Sequence, residues 1–314
     1  MRKVDTIASQ PAQPKAQSLY KYVDVAGLRR ILEGSIRFTQ PSAFNDPFEL
    51  LPEIVLRKDE PERQIKVSFD VLAPRRNPPV GEVDHIRDGY CSSDATSRDI
   101  VRQLTAAIGI LCLSRTNESL VMWSHYADQY TGAVIEFDGS HEFFAGQVAM
   151  EYRPIRPKRD LSDYLAGNPT PVSELCVKSE QVAYEQEVRV IRTLADCEKT
   201  EQCDRRGFGI YIRKMPIECI RGVFLGERMN ISVQREVYLR IKETHVALTL
   251  AAVDGAGYAF RHERIKFNVP ASRMGPMISP RTAHIFSNEQ NVRAEFARWM
   301  IDHHPLSEIV NKPI

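Results

Sequence analysis

Apolar and polar positions along the chain predict short strands that are separated, at irregular intervals, by helices. The clearest unit covers residues 110–138, where an apolar strand pattern, a helix pattern and a second apolar strand pattern follow one another. Asn117 is the predicted N-cap of this helix, and Gly132 makes the turn into the second strand. Further strand patterns lie at 19–22, 35–40, 148–152, 184–192, 208–213, 220–225, 246–252 and 258–267. This order predicts an α+β fold with a mixed, mainly antiparallel sheet and flanking helices.

Helical periodicity predicts the elements that flank this sheet. Asp and Ser side chains can accept hydrogen bonds from the first turn of a helix, so Asp24 and Ser232 are each the predicted N-cap of a helix. Gly34 follows the first of these helices and is its predicted stop. The predicted helices cover 24–33, 97–108, 175–183, 232–242 and 287–303.

Composition changes along the chain predict its domain organisation. Residues 1–18 lack periodicity and are predicted to be a disordered leader. Residues 19–270 are predicted to form a single α+β domain, interrupted at about 57–98 by a charged, proline-rich insertion. Residues 271–314 are predicted to be a helical appendage.

Charge and hydropathy exclude several classes of protein. The chain has 314 residues, and its 42 basic and 41 acidic residues give a net charge of +1, so no global field attracts nucleic acid or anionic lipid. No stretch of 18 apolar residues and no apolar signal segment is present, which predicts a cytoplasmic protein without a membrane partner. The six cysteines show no metal-binding or disulfide spacing, so no metal is predicted.

The segment Tyr184–Val190 places charged side chains at alternate positions of a predicted strand. Alternate side chains leave the same face about 7 Å apart, so Glu185, Glu187 and Arg189 are predicted to share a face. Two neighbouring carboxylates raise each other's pKa unless a cation offsets them, and Arg189 is placed to do so. One carboxylate can then stay ionised and bind a ribose hydroxyl or stabilise a developing cation. The alternative is a solvated ladder of charges without a function.

The predicted helix after Asn117 carries two polar side chains outside its apolar stripe. His125 and Tyr126 lie about 200° and 300° around the helix from Trp123, so the three cannot all face the core. Trp123 is predicted to be a core anchor. His125 is a candidate for substrate binding or acid–base chemistry, and the alternative is a surface histidine that orients a neighbouring strand.

Two further sets of residues are weaker candidates. Tyr20 and Tyr22 share one face of the first predicted strand and can stack on a flat ligand, although tyrosine is common in half-buried strands. Asn45 and Asp46 precede Pro47 in a turn, and turn chemistry alone explains these residue types.

Several segments, taken in order, carry a family resemblance. They are LYKY (19–22), FNDPFE (44–49), MWSHYADQYTGAVIEFD (122–138), VAMEY (148–152) and YEQEVRV (184–190). Together they resemble the bacterial family known as domain of unknown function 2971, over roughly residues 19–265. That family implies relatives but no reaction.

The same layout is similar, more distantly, to that of ADP-ribosyltransferases, including DNA-modifying toxins. In the arginine-directed members, the second Glu of an E-x-E motif holds the NAD ribose and stabilises an oxocarbenium-like transition state. The resemblance implies this role for Glu187 and an acceptor-assisting role for Glu185. Tyr20 to Tyr22 stand where those enzymes have His or Arg, and their Ser-Thr-Ser motif is absent. The residues predicted to contact NAD are Tyr20, Tyr22, Asn45, Asp46, Tyr126 and Arg189.

These observations lead to a preferred function and two alternatives. The preferred function is an NAD-dependent ADP-ribosyltransferase-like enzyme, a toxin or phage-defence effector that modifies a nucleic acid or protein, with Glu187, Glu185 and His125 as its catalytic residues. The first alternative is a non-catalytic ligand-sensing or interaction module that docks or dimerises through its C-terminal helix. The second is a metal-dependent nuclease with Asp46, Glu185 and Glu187 as ligands. No phosphate-binding loop, zinc-peptidase motif or nucleophile elbow is present.

Overall fold

The computed structural model describes residues 17–55 and 90–310. The strands are β1 (Ser18–Val23), β2 (Ser35–Phe38), β3 (Glu53–Val55), β4 (Ile108–Ser114), β5 (Ala133–Asp138), β6 (Val148–Ala149), β7 (Glu151–Arg153), β8 (Lys158–Asp160), β9 (Val177–Ser179), β10 (Glu187–Thr193), β11 (Glu198–Cys203), β12 (Gly209–Lys214), β13 (Ile220–Leu225), β14 (Ala247–Val253) and β15 (Phe260–Lys266). The helices are α1 (Val25–Leu32), α2 (Tyr90–Ala107), α3 (Leu120–Tyr126), α4 (Leu161–Leu165), α5 (Ile231–Ile241), α6 (Ala283–Phe286), α7 (Val292–His303) and α8 (Pro305–Val310).

An eight-stranded sheet forms the centre of the fold, in the order β15-β14-β13-β5-β1-β4-β10-β6. Within this sheet of the described residues, β13 and β14 pair in parallel and are connected by α5, whereas the other neighbouring pairs are antiparallel. A three-stranded sheet, β11-β12-β2, lies beside it. The predicted α+β fold with a mixed, mainly antiparallel sheet is therefore confirmed.

One face of the central sheet packs against α1, α5, α6 and α7. Its strands contribute apolar residues at alternate positions, because successive side chains of a strand point to opposite faces. On β10 these are Val188 and Val190, and on β5 they are Ile135 and Phe137. The helices contribute Leu28, Ile31, Leu32, Val237, Tyr238, Ile241, Ala283, Ile285, Phe286, Ala297 and Met300. The C-terminal segment, predicted as an appendage, therefore shares the main core.

The opposite face of the sheet is less uniform. Beneath α3 it is aromatic, where Tyr22 and Phe260 pack against Trp123. Beside this cluster, β4 and β10 carry Cys112, Ser114, Glu187 and Arg189 on the same face. The polar part of the sheet therefore lies next to α3.

Several helix predictions need correction. The N-cap of α3 is Ser119 and not Asn117, whose carbonyl oxygen instead accepts a hydrogen bond from the indole of Trp123 at 2.9 Å. The N-cap of α5 is Asn230, which accepts from the backbone of Ser232. Asp24 caps α1 as predicted. In each corrected case a neighbouring polar side chain accepts the hydrogen bond from a backbone N–H group at the start of the helix, which has no partner within the helix.

The predicted helix at 175–183 is wrong. This segment contains two short 3-10 turns on either side of β9, which pairs in parallel with β7. Long-range strand pairing has overridden local helical periodicity here.

Most of the predicted leader and most of the predicted insertion at 57–98 lie outside the described residues. Ser18, predicted to end the leader, begins β1. Tyr90 begins α2, so this helix starts well before the predicted Ser97. None of the helices in the described part of the chain combines the length and the apolar character that a bilayer span requires.

Candidate active site

The candidate site lies where β1, β4 and β10 run side by side in the central sheet. Ser114 pairs with Tyr20 on one side and with Glu187 on the other. Paired residues of neighbouring antiparallel strands point to the same face, and adjacent strands are about 4.8 Å apart. Tyr20, Ser114 and Glu187 therefore form one transverse row on the face that carries α3.

Glu187 and Arg189 are fully engaged below this surface. Glu187 is 5% exposed and Arg189 is 0% exposed. The Arg189 Nε donates to Glu187 Oε1 at 2.8 Å, its Nη2 donates to Glu49 Oε1 at 2.6 Å, and its Nη1 donates to the Leu175 carbonyl oxygen at 2.8 Å. Phe44 covers the guanidinium at 5.7 Å from the ring centroid. Both side chains are thereby fixed in one orientation.

Lys178, on β9, joins three carboxylates. Its Nζ donates to Glu185 Oε2 at 2.8 Å and to Glu187 Oε2 at 2.9 Å, and lies 3.6 Å from Glu49 Oε2. Its side chain is 10% exposed. A single ammonium group therefore holds together acids from two distant segments of the chain, Glu49 from one and Glu185 and Glu187 from the other.

Glu185 is not on the strand, which corrects the predicted extended segment at 184–192. It ends a 3-10 turn over Glu180–Glu185, and Gln186 then adopts a left-handed conformation with φ 44° before β10 begins at Glu187. Ser114 accommodates this turn, because its hydroxyl donates to the Glu185 carbonyl oxygen at 2.6 Å. The carboxylate still reaches the others because the turn folds it back over them.

Tyr126 connects this buried network to the surface. It is 41% exposed at the end of α3, and its hydroxyl donates to Glu185 Oε1 at 2.6 Å. Burial, followed by the hydrogen bond to Glu185, raises the pKa of Tyr126 above its ordinary value. The phenol is therefore protonated at neutral pH and acts as a hydrogen-bond donor.

Three carboxylates share two cations in this network, and the pKa values of Glu187 and Glu49 shift in opposite directions. Burial disfavours the ionised form of Glu187, but Arg189 and Lys178 outweigh it and hold the pKa at about 2. Burial likewise opposes the charge of Lys178, but Glu187 and Glu49 raise the pKa of its ammonium group. For Glu49, burial prevails over the nearby cations and raises the pKa. Glu187 is consequently a permanent anion, whereas Glu49 binds a proton more readily than an ordinary glutamate does.

The backbone around Glu187 is also held. Its N–H donates to the Tyr152 hydroxyl at 2.7 Å, and its carbonyl oxygen accepts from the Met150 N–H at 2.9 Å. Cys112 lies on the same face of β4, and burial raises the pKa of its thiol well above the ordinary value. Cys112 is therefore a neutral neighbour of the acids and not a thiolate nucleophile.

The structure brings some predicted residues into this site. Glu185, Glu187, Arg189 and Tyr126 form one continuous network. The alternative of a solvated charge ladder is wrong, since the first three are almost entirely buried. Tyr20 lies in the same row of the sheet, and its side chain is half-buried. Its ring contacts that of Phe224 edge-on, with the ring centroids 6.4 Å apart.

The other predicted residues lie around the network and not within it. Tyr22 is buried and donates to the Thr116 carbonyl oxygen at 3.1 Å. Asn45 is exposed, and Asp46 Oδ1 accepts from the Phe48 N–H, which is the turn chemistry considered above. His125 is exposed and contacts the ring of Tyr126 edge-on at 6.2 Å.

Glu49 and Lys178 are the site residues that sequence reasoning missed. Glu49 belongs to the FNDPFE segment, and the turn at Asp46 directs it inward, because the Glu49 N–H donates to the Asp46 carbonyl oxygen at 3.2 Å. A glutamate directly after a proline turn and before an apolar pair was the available signal. Lys178 gave no such signal, because its segment has helical periodicity although it does not form a helix.

The arrangement can present a fixed negative charge that is shielded from solvent. Such a charge stabilises a cation that develops next to it, because no solvent has to reorganise. Within 17–55 and 90–310, no group of three or more His, Cys, Asp or Glu side chains is placed to hold a metal ion. The ammonium of Lys178 occupies the position between the carboxylates.

The comparisons with known proteins add no relative. No family model matches the chain, and no curated protein and no solved structure is significantly similar to it. The family resemblance and the resemblance to ADP-ribosyltransferases are therefore hypotheses that depend on the motifs and on the geometry of the site.

Proposed function

We propose that the chain is an NAD-dependent ADP-ribosyltransferase-like enzyme, a toxin or phage-defence effector that transfers ADP-ribose to a nucleic acid or protein. The observation that supports this proposal best is the fixed, ionised carboxylate of Glu187 in the same sheet row as Tyr20. In such a transfer the bond between ribose C1′ and nicotinamide breaks and its electron pair leaves with nicotinamide. Positive charge then develops on the ribose, where a buried anion stabilises it.

The proposed roles follow the contacts of each residue. Glu187 faces the ribose, while Arg189 holds it ionised and in one orientation. Glu185 is linked to solvent by Tyr126, and it assists the acceptor by taking the proton that the acceptor's nucleophile loses as it forms the new bond to C1′. His125, next to Tyr126, is the proposed acid–base partner at this entrance.

The proposal places one demand on the protein. Both oxygens of Glu187 already have partners, Arg189 on Oε1 and Lys178 on Oε2. A ribose hydroxyl that binds this carboxylate therefore has to displace the ammonium of Lys178. We expect substrate binding to move β9, the short strand that carries Lys178, and not the central sheet.

The test is release of nicotinamide from NAD in the presence of cell extract, DNA or RNA, together with transfer of label from the adenosine part to an acceptor. We expect wild type to show both, and the Glu187→Gln variant to lose both. The Glu180→Gln variant is a matched control, because Glu180 is exposed in the same 3-10 turn as Glu185. Equal activity in wild type and Glu187→Gln, or none in wild type with any acceptor, contradicts the proposal.

A second function, a non-catalytic sensing or interaction module, is favoured by a different observation. All six oxygens of Glu49, Glu185 and Glu187 face a donor or cation. In addition, α7 exposes Phe296 and Trp299, whose rings stack with centroids 6.0 Å apart. In this alternative the network is structural, and the aromatic face of α7 pairs with a second copy of the chain.

This alternative is tested by the oligomeric state of the intact chain. Deletion of 271–314 is unsuitable, because Phe286 and Met300 belong to the main core. Replacement of exposed Phe296 and Trp299 by alanine leaves that core intact. We expect light scattering to show a dimer that this double variant converts to monomer; a wild-type monomer at all concentrations contradicts the alternative.

A further inference from the structure

A polar cavity lies between α2 and the segment that follows β8. It is lined by the C-terminal half of α2 and by the segment from β8 to residue 170, and has a volume of about 130 Å³. Its lining combines Gln103 and Leu104 with Arg159, Tyr164 and Thr170. This volume is several times that of one water molecule, so the cavity has room for a small polyatomic group.

Arg159 is the feature of this cavity that needs explanation. Its side chain is 5% exposed, yet Nε and Nη1 make no hydrogen bond to the described residues. Among the described residues, only Nη2 has an acceptor, the carbonyl oxygen of Asn168. A buried N–H group without an acceptor costs free energy, and more so when the group is charged. Two of the three guanidinium nitrogens therefore have no hydrogen-bond acceptor among the described residues.

The carboxylates nearby do not meet this need. Glu174 Oε2 lies 3.5 Å from Arg159 Nη1, an ion pair without a hydrogen bond, and this oxygen also has no hydrogen-bond partner among the described residues. Burial, opposed by the charge of Arg159, raises the pKa of Glu174 above its ordinary value. On α2, the charge of Asp99 is already engaged by Arg102, Tyr164 and Gln103.

We propose that this cavity is a binding site for a small oxyanion, a carboxylate or phosphate group, with Arg159 as its principal donor. The ligand provides the acceptor atoms that Nε and Nη1 lack. Charge-assisted hydrogen bonds to a guanidinium are among the strongest in proteins. The residues that line this cavity include no member of the Glu187 network, and the proposal does not depend on the proposed transferase activity.

Isothermal titration of the full-length chain with sodium phosphate and, separately, sodium acetate tests this proposal, with chloride holding the ionic strength constant. We expect saturable binding of one ion per chain. Arg159→Gln is expected to weaken it by about tenfold or more, because charge-assisted hydrogen bonds are lost. Arg156→Gln is the matched control, since Arg156 is exposed three residues away, and it is expected to bind as wild type does.

The Glu174→Gln variant provides a test that does not depend on loss of the buried arginine. It removes the competing carboxylate with little change of shape, so we expect tighter anion binding than in wild type. Preference for phosphate assigns the site to phosphoryl groups, and preference for acetate assigns it to carboxylates. Absence of saturable binding in both wild type and folded Glu174→Gln overturns the proposal. An equal loss in Arg156→Gln and Arg159→Gln also overturns it.

Discussion

The two faces of the central sheet are built from the same strands but are stabilised in different ways. On β10, Val188 and Val190 point into the main core, while Glu187 and Arg189 point toward β9 and Glu49. The apolar face gains stability from buried area and does not require particular partners. The polar face is stable only while each charged atom keeps its partner, because an unpaired buried charge is costly. Removal of a charged side chain from β10 is therefore expected to affect stability in a different way from removal of the apolar side chain next to it.

The largest effect is expected when the polar face loses its deepest cation. In the Arg189→Met variant, Glu187 and Glu49 lose their bonds to the guanidinium while still buried. We expect the free energy of unfolding, from urea denaturation at pH 7, to fall by about 3–5 kcal/mol. Arg153→Met removes an exposed ion pair with Glu151 and is the matched control, with little expected change. Similar stability of the two variants contradicts the account of the polar face.

The matching test of the apolar face is Leu113→Ala on β4, whose side chain is 3% exposed in the main core. The cavity left behind is expected to lower the free energy of unfolding by about 3 kcal/mol. This loss is expected to be the same at pH 3 and pH 7, because no titrating group changes its partner. A loss that varies with pH shows that the two faces are coupled.

The pH dependence of stability separates the faces further. The folded-state pKa of Glu187 is about 2, below its ordinary value of 4.5. Its stabilisation is therefore present above pH 4.5 and is lost as the pH falls toward 2, by up to about 3 kcal/mol over that window. We expect the Glu187→Gln variant to show a shallower loss of stability between pH 4.5 and 2 in acid unfolding. A loss of stability between pH 4.5 and 2 that is as steep in this variant as in wild type contradicts the assignment of Glu187 as the permanent anion.

The smallest effect is expected where the polar face meets solvent. Tyr126→Phe removes one hydrogen bond to Glu185, and we expect a loss of about 1 kcal/mol in thermal or urea unfolding. Tyr258→Phe is the control, because Tyr258 is fully exposed. A change in Tyr126→Phe as large as that in Arg189→Met means that the surface end of the network carries as much of the stability as its buried end.

Sequence patterns located most strands but fewer of the site's details. The strand at Ile220–Leu225 was predicted with its observed bounds, because a run of buried apolar residues leaves little choice. The proximity of Glu185 and Glu187 was predicted from their alternate positions on one strand, and this reason is wrong. Glu185 lies in a 3-10 turn, and the two carboxylates are held together by the ammonium group of Lys178. The bridging role of Lys178 depends on the parallel pairing of β9 with β7, a contact between distant segments.

The sequence by itself determined the α+β character, the alternation of faces in the strands and the concentration of polar groups near Glu187, because these depend on local periodicity and residue chemistry. Only the tertiary structure decided that Glu49, Lys178 and Glu185 meet Glu187 and Arg189 in a buried network. The physical reason is that burial and charge pairing depend on which distant segments come together. The contacts between distant segments cannot be predicted from the spacing of residues along one strand or from their composition.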